Sequence, residues 1–444
     1  MTGTGSSDTS RTPWSETTPW GDADQLRDRM LRPGPGIPRE DVERSQRERL
    51  FGATVACVAR NGYEATTVAN LLELSGVSRS AFYKHFTDMD DCCVSTFEAV
   101  IDKALGLADD NLGGAGPLEG LSRGGLRAQL EMVVHQPNAA KFCFSDIYMV
   151  GERGRRAVDR ATGSFAGMAG DTIGRLRDGD ESLDEMVHGM LGGVQTIVQT
   201  KMRQGTVEAL PEQTDDLLDW ALAYESPSPQ LRRAGRSTRP NDQPRALVGH
   251  SQPERLIRAL AAGAGERGYP AVTIAEIAAR ASVSQATFYS YFVDKNAALL
   301  AAVDSAGSQM LGVVMPAARR APDWPNGIRA AIGSLCTFYA AEPDLARLAV
   351  VETYAAGPAA LELRDHANAE IQGLLNPGLL AFPAVKQIVA DAVFGAVWTL
   401  LYARIVNEGP QALPQIAPLA TYMVLAPFLG MEEAVRVSNG DGRG

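Results

Sequence analysis

The stretch ERLFGATVACVARNGYEATTVANLLELSGVSRSAFYKHFTD, residues 48–88, returns in altered form as ERLIRALAAGAGERGYPAVTIAEIAARASVSQATFYSYFVD at residues 254–294. Sixteen of these 41 positions are identical without a gap, at a constant offset of 206 residues. Self-similarity at a fixed spacing marks a repeated structural unit. The chain therefore contains two copies of one unit, and each copy occupies about half of its length.

The capping and turn residues within the repeat predict three short helices. The first runs from about Gln46 to Arg60 and ends before a glycine, which tolerates the positive φ that often closes a helix. The second begins at Thr67, and the third begins at Ser78, a residue type favoured at helix N-termini. A short turn containing Gly76 separates these two helices. This spacing is that of a helix-turn-helix.

The third helix carries the residues that could read DNA. Phe82 and Phe86 stand four residues apart and face inward, so their neighbours point outward. A recognition helix directs its N-terminal residues at base edges in the major groove, while other side chains and the start of the second helix hold phosphates. We therefore predict DNA contacts from Thr67, Ser78, Arg79, Ser80, Tyr83, Lys84 and His85 in the first repeat, and from Thr273, Ser284, Gln285, Ala286, Thr287, Tyr289, Ser290, Tyr291 and Lys295 in the second.

The order Gly-Tyr, a threonine opening helix two, Gly-Val-Ser in the turn, and Phe-Tyr-x-His-Phe followed by Asp resembles the tetracycline-repressor (TetR) family. The second repeat resembles it at Gly268-Tyr269, Thr273, Ser282-Val283-Ser284 and Phe288-Tyr289-x-Tyr291-Phe292. The resemblance implies an all-α fold of two fused TetR-like units, each a three-helix DNA-binding head and a helical ligand-binding body. It also implies dimerisation through the last two helices of each unit and release of DNA by a ligand.

The repeats differ where DNA would be read. Arg79 becomes Gln285 and Lys84 becomes Ser290, so the second recognition helix carries no positive charge. Phosphate contacts supply most nonspecific affinity, and we therefore predict weaker binding by the second head. The family lysine after the Asp is kept as Lys295 but is absent from the first repeat.

The amino-acid composition limits the class of protein and indicates the domain boundaries. The 444 residues are 45% hydrophobic and carry a net charge of −11, which is typical of a globular protein and excludes a generally basic DNA-coating protein. Pro/Arg-rich and polar stretches set the predicted boundaries. These are a disordered tail (1–43), a head (44–91), a body (92–225), a linker (226–250), a head (251–298), a body (299–432) and a flexible tail (433–444).

Five cysteines without a C-x-x-C pair favour a reducing, cytoplasmic location, and DNA binding would place the protein at the nucleoid. The adjacent pair Cys92-Cys93 is interpreted as buried rather than as a redox or metal switch. The apolar stretch Ile388–Ile405 contains two charged residues and is interpreted as a buried or interface helix, with no membrane partner. No nucleophile–base constellation, phosphate-cradling loop or metal-ligand cluster is evident, so we predict neither an enzyme, nor a cofactor, nor a metal site.

The two bodies should hold an effector pocket if the resemblance extends to function. Aromatic side chains are the candidates, although most such residues serve only as core. The predicted ligand-binding residues are Phe142, Phe144 and Tyr148 in the first body, and Phe338, Tyr339, Tyr354 and Trp398 in the second.

The leading hypothesis is a repressor whose two unlike heads, on one chain, read an asymmetric operator and are released by a small molecule. Gly192-Gly193, with Gly395-Ala396 in the second unit, would let the bodies approach closely as an intramolecular pseudo-dimer. A homodimer of tandem chains is the rival assembly. The alternative function is a ligand-sensing or protein-interaction module whose heads no longer bind DNA.

Overall fold

The computed structural model describes residues 17–32, 34–110, 119–174, 181–224, 231–232, 251–353 and 358–441. Within these ranges the chain is helical apart from short connections and one small antiparallel ribbon, formed by β1 (Thr17–Thr18) and β2 (Gly21–Asp22). The predicted all-α class is confirmed. Residues 17–224 are here called the first half and residues 251–441 the second half.

The helices of the described residues follow a common order in both halves, with two additional short helices in the second. The first half contains α1 (Arg39–Asn61), α2 (Val68–Ser75), α3 (Arg79–His85), α4 (Met89–Asp110), α5 (Glu119–His135), α6 (Pro137–Phe144), α7 (Glu152–Gly174), α8 (Glu181–Gln204) and α9 (Thr214–Leu222). The second half contains α10 (Gln252–Arg267), α11 (Ile274–Arg280), α12 (Gln285–Tyr291), α13 (Lys295–Arg320), α14 (Trp324–Ala341), α15 (Pro343–Val350), α16 (Pro358–Gln372), α17 (Asn376–Ala381), α18 (Gln387–Glu408), α19 (Leu413–Leu429) and α20 (Met431–Ser438).

Each head is a three-helix unit, α1–α3 in the first half and α10–α12 in the second. In the first head Leu71, Phe82 and Phe86 are buried, and the rings of the two phenylalanines lie 5.5 Å apart. The buried Arg49 guanidinium donates from Nη1 to the Ser75 carbonyl at 2.6 Å, which satisfies a carbonyl at the end of α2. The small core therefore fixes the angle between α2 and α3.

Residues 17–26 pack against the first head, although composition predicts disorder over residues 1–43. Trp20 is buried with its ring 5.3 Å from that of Phe51, and the Lys103 ammonium lies 5.7 Å from the Trp20 ring. Leu26 is fully buried against Gly52 of α1. Two large apolar side chains thus anchor a segment that is otherwise polar, and an average over composition does not detect them.

The two bodies pair within the chain through α8 and α18, a contact here called the seam. A Cβ added at Gly192 would lie 1.8 Å from Thr399 Oγ1, and one added at Gly193 would lie 2.6 Å from the Ala392 carbonyl oxygen. On the facing helix, a Cβ at Gly395 would lie 2.5 Å from Thr196 Cβ. The two helix backbones can approach each other this closely only because glycine has no side chain. The intramolecular pairing expected from these glycines is present.

Polar contacts flank the seam. Arg404 of α18 pairs with Glu185 of α8, and Arg203 of α8 lies 3.0 Å from Asp365 of α16. The buried Tyr224 hydroxyl donates to the Met423 carbonyl, which ties the end of the first half to α19. These contacts give the seam a defined register.

The chain ends and the linker also differ from the boundaries drawn on composition. Part of the tail predicted as flexible (433–444) belongs to α20, where Ala434, Val435 and Val437 are buried. The linker residue Arg232 donates its backbone N–H to Asn439 Oδ1 at 2.8 Å. The rest of the predicted linker lies outside the described residues, apart from Leu231.

Three helical stretches, Lys295–Arg320, Gln387–Glu408 and Pro410–Leu429, have the length and apolar composition of a membrane span. In the fold these stretches build the body of the second half and the seam. The apolar surface of Gln387–Glu408 faces α8 and α19, as the interpretation of Ile388–Ile405 as a buried or interface helix expects.

Replacing Gly192 by alanine should lower the free energy of unfolding by about 1–3 kcal/mol, because the new methyl group overlaps Thr399. The matched control is Gly163→Ala on α7, where an added Cβ meets nothing within 4 Å. That change should raise stability by up to about 1 kcal/mol through helix propensity. Urea unfolding of the two variants measures the difference, and equal effects would contradict the close seam.

Candidate DNA interface

Side-chain caps place the recognition helix of the first head. Thr67 caps α2 by accepting from the Asn70 backbone N–H, and Asn70 in turn accepts from Thr67. Gly76 adopts φ 65° and ψ 20°, the left-handed conformation that ends α2 and turns the chain. Ser78 Oγ then accepts from the Ala81 N–H at 3.2 Å and starts α3. The predicted helix-turn-helix is present at these positions.

One face of α3 is free to meet a ligand. Arg79, Ser80 and Lys84 are exposed, and Tyr83 is 51% exposed while its ring packs edge-on against Phe82 at 5.2 Å. The buried Phe82 ring thus packs against the Tyr83 ring, and about half of the tyrosine remains exposed to solvent. The prediction that Tyr83 is exposed is confirmed.

The second head repeats this geometry with other side chains. Thr273 and Ser284 cap α11 and α12, and Tyr289 is 56% exposed with its ring edge-on to Phe288 at 5.5 Å. A backbone hydrogen bond from Thr273 lowers the pKa of Glu276 to about 2, so this capping carboxylate is ionised throughout the physiological range. Gln285, Ala286 and Ser290 are also exposed, and Thr287 is half-buried.

The turn of the second head uses a serine where the first uses glycine. Ser282 has φ 54°, the one positive φ of a non-glycine residue in the described ranges. Its carbonyl accepts from Arg255 at 3.4 Å; Arg255 is the counterpart of Arg49, which donates one position earlier in the turn of the first head. The αL conformation of Ser282 costs on the order of 1 kcal/mol, and the turn is nevertheless kept.

Two predicted DNA-contacting residues have partners within their own head. His85 lies 3.1 Å from Gln46 Oε1, and at the equivalent position the Tyr291 hydroxyl donates to Gln252 Oε1 at 3.1 Å. Burial lowers the pKa of His85, so this ring is neutral at neutral pH. Each contact ties the end of a recognition helix to the first helix of its head.

Lys295 is half-buried and hydrogen-bonds within its own head. Its ammonium donates to the carbonyls of Tyr269 and Val272, at 3.2 and 2.9 Å, and lies 4.4 Å from the Tyr269 ring. Burial lowers the pKa of Lys295. The side chain therefore joins α13 to the loop before α11, and its contact with DNA stays a prediction.

The two exposed faces differ in charge more than the recognition helices alone indicate. Arg47 on α1 is exposed and close enough to α3 to affect the pKa of His85, although the pattern of the recognition helix does not predict it as a contact. Pro253 stands at the equivalent position of the second repeat. Arg47, Arg79 and Lys84 thus have three uncharged counterparts. Only the repeat alignment, extended upstream, could have indicated Arg47.

The predicted ligand-binding aromatics are mostly core. Phe142 and Tyr339 are buried, Phe144 and Phe338 are half-buried, and Tyr354 lies outside the described residues. Tyr148 lines a cleft of about 200 Å³ between the halves, where its hydroxyl accepts from Gln195 Nε2 at 2.7 Å. Trp398 lines this cleft and two further cavities. Trp398 therefore lies where cavities of both halves meet.

All five cysteines are buried as free thiols. Burial raises the pKa of Cys92 to about 12, so this thiol is protonated and unreactive at neutral pH. Within the described ranges no three histidine, cysteine or acidic side chains are grouped as a metal site.

The family profile described as "Bacterial regulatory proteins, tetR family" matches the chain twice, over residues 50–95 and 256–303. These two matches cover the helix-turn-helix of each head and the start of the helix that follows. Each of the two heads is therefore similar to the part of tetR-family regulatory proteins that this profile describes.

Among solved structures, a similar one is described as "Structural analysis of fatty acid degradation regulator FadR from Bacillus halodurans". It is 17% identical over 40% of this chain and 95% of that chain, with a TM-score of 0.35. No curated protein matches the chain.

Two substitutions in the first head should have different effects on DNA binding. Tyr83→Ala should weaken binding to all sequences, because a phosphate contact carries no base preference. Arg79→Ala should relax the preference at one base pair by about 1–3 kcal/mol, because arginine reads guanine edges. Arg320→Ala, on an exposed end of α13, is the control. Competition gel shifts with single-base operator variants measure both; unchanged binding by both head variants would exclude the first head as reader.

Proposed function

We propose that this chain is a transcription repressor in which two unlike heads on one polypeptide read the two halves of an asymmetric DNA operator. A small-molecule effector bound by the helical bodies releases the operator. The protein acts in the cytoplasm, at the nucleoid.

The proposal rests chiefly on one observation: two recognition helices with the same fold expose different side chains and belong to one chain. The first reads SRSAFYKH from Ser78 and the second SQATFYSY from Ser284. Arginine is suited to guanine, whereas glutamine at the equivalent position is suited to adenine. Two heads with different readers select two different half-sites.

The pairing of the bodies supports one chain as the DNA-binding unit. Family heads act in pairs, with half-sites about one helical turn apart, roughly 34–36 Å. Here α8 and α18, each the second-last long helix of its body, already contact each other across the seam. A second chain is not required to bring two heads together.

The operator can be selected from random DNA, so the target gene need not be identified first. Purified chain is incubated with random duplexes, bound DNA is sequenced, and the complex is sized by sedimentation. The expected motif is non-palindromic and bound by one chain. A perfect palindrome would contradict reading by unlike heads, and a complex of two chains would favour the homodimer of tandem chains.

A second candidate function is a ligand-sensing or protein-interaction module with heads that do not bind DNA. The net charge of −11 and the uncharged second recognition helix favour it. Gel shifts with the chain's own upstream DNA at about 50 mM salt distinguish the two functions, because phosphate contacts are strongest at low salt. Absence of any shift there would favour the second candidate.

The weak second head should be strengthened by restoring the charges of the first. The double variant Gln285→Arg, Ser290→Lys should raise operator affinity and steepen the log–log salt dependence by about 1–2 units, since each phosphate contact contributes about 0.9.

The matched control adds the same two charges to the body, as Ser308→Arg, Gln309→Lys on the exposed side of α13. These positions lie about 20 Å along the helix from the head, at 1.5 Å per residue. If the body variant and the head variant gain operator affinity equally, the second head does not contact DNA.

A further inference from the structure

A cavity of about 310 Å³ lies at the seam and is lined by both halves. The first half contributes one wall from α8, and the second half contributes the others from α16 and α18. The side chains that matter are Thr200, Arg203, Arg364, Asn368, Phe394 and Trp398. This space is separate from the interior of either body, because neither half encloses it alone.

One buried polar group beside this cavity has no partner in the described part of the chain. Asn368 lines the cavity and is only 9% exposed. Trp398 is 8% exposed, and its buried Nε1–H has no acceptor. Buried polar groups are nearly always hydrogen-bonded, so such a group beside a cavity indicates a ligand that supplies the missing partner.

The arginines of the cavity are suited to an anion. The Asp365 carboxylate is shared by two guanidinium groups, from Arg203 at 3.0 Å and from Arg364 at 2.9 Å. This trio carries one net positive charge, and the Arg364 side chain is almost fully buried. Asp391 also lines the cavity; burial raises its pKa, while the amides of Gln372 and Gln387 donate to its carboxylate. Arginine's planar fork is well matched to a carboxylate.

The remaining wall is aromatic. The Phe394 and Trp398 rings are stacked, with centroids 6.3 Å apart and planes inclined by 17°. Both rings also line a neighbouring apolar cavity of about 50 Å³ inside the second half. A flat apolar group can therefore lie along these rings while a charged end remains beside the arginines.

We propose that the seam cavity binds a small aromatic monocarboxylate, with its carboxylate at Arg203 and Arg364 and its ring against Phe394 and Trp398. The walls of this site come from unlike halves, α8 on one side and α16 and α18 on the other. That this ligand is the effector rests on the proposed function. Since it contacts α8, α16 and α18 together, its binding changes the relation of the two bodies.

Calorimetry on the full chain tests the site with three acids of increasing size, benzoate, cinnamate and 2-naphthoate, and with the neutral carboxamide of each. At least one acid should bind, and at least tenfold more tightly than its amide. If no acid binds, or if each acid binds no better than its amide, the proposal is overturned.

Variants of residues from both halves test whether the acid binds in the seam cavity. Arg203→Gln should weaken the acid at least tenfold, and Thr200→Phe should abolish binding by filling the cavity from the first half. Ala369→Phe should do the same from the second half. Arg320→Gln removes an exposed positive charge that does not line the cavity and should leave binding unchanged. Circular dichroism melting checks that each variant is folded; retained binding in folded Arg203→Gln and Thr200→Phe would place the acid elsewhere.

Gel shifts on the same samples separate this inference from the proposed function. DNA binding by a chain that takes none of the acids overturns the seam site and leaves the regulator intact. Acid binding that requires Arg203 but does not release DNA supports the site and contradicts its role as effector site. Acid binding without any DNA binding supports the site and favours the ligand-sensing function.

Discussion

The fold depends on one close approach, the contact of α8 and α18 at Gly192, Gly193 and Gly395. Apolar burial is not directional, and by itself would allow the two bodies to slide along each other. Glycines fix the register, because each accepts a side chain or backbone atom of the facing helix that a Cβ would exclude. The flanking ion pairs add orientation. Both the relative placement of the heads and the seam cavity follow from this contact.

Much of the head could be predicted from sequence because its determinants are local. Thr67 and Ser78 cap helices through their own side chains, and Phe82 and Phe86 are spaced for one helix face. Each signal lies within a few residues of its effect. The exposed face of α3 follows from the same spacing. The sequence repeat then predicts the second head without any further assumption.

The parts that sequence reasoning missed arise from contacts between distant segments. Trp20 packs on Phe51, and the polar composition around it gives no indication of that contact. The hydrogen bonds of Lys295 depend on a loop more than twenty residues earlier. The lining of the seam cavity joins Arg203 to Asn368 across the linker, so only their spatial proximity reveals it. Aromatic character alone predicts Trp398 as a ligand residue, without any indication of the facing half.

Joining both bodies in one polypeptide changes how pairing responds to abundance. Separate protomers must meet before they can act as a pair, so dilution reduces the assembled fraction. When the partner is attached, its effective concentration is set by the connecting segment and not by the number of molecules present. A cell that holds a few chains keeps the same paired fraction as a cell that holds many. The two halves also remain matched, since no half can be replaced by one from a sister chain without breaking the seam.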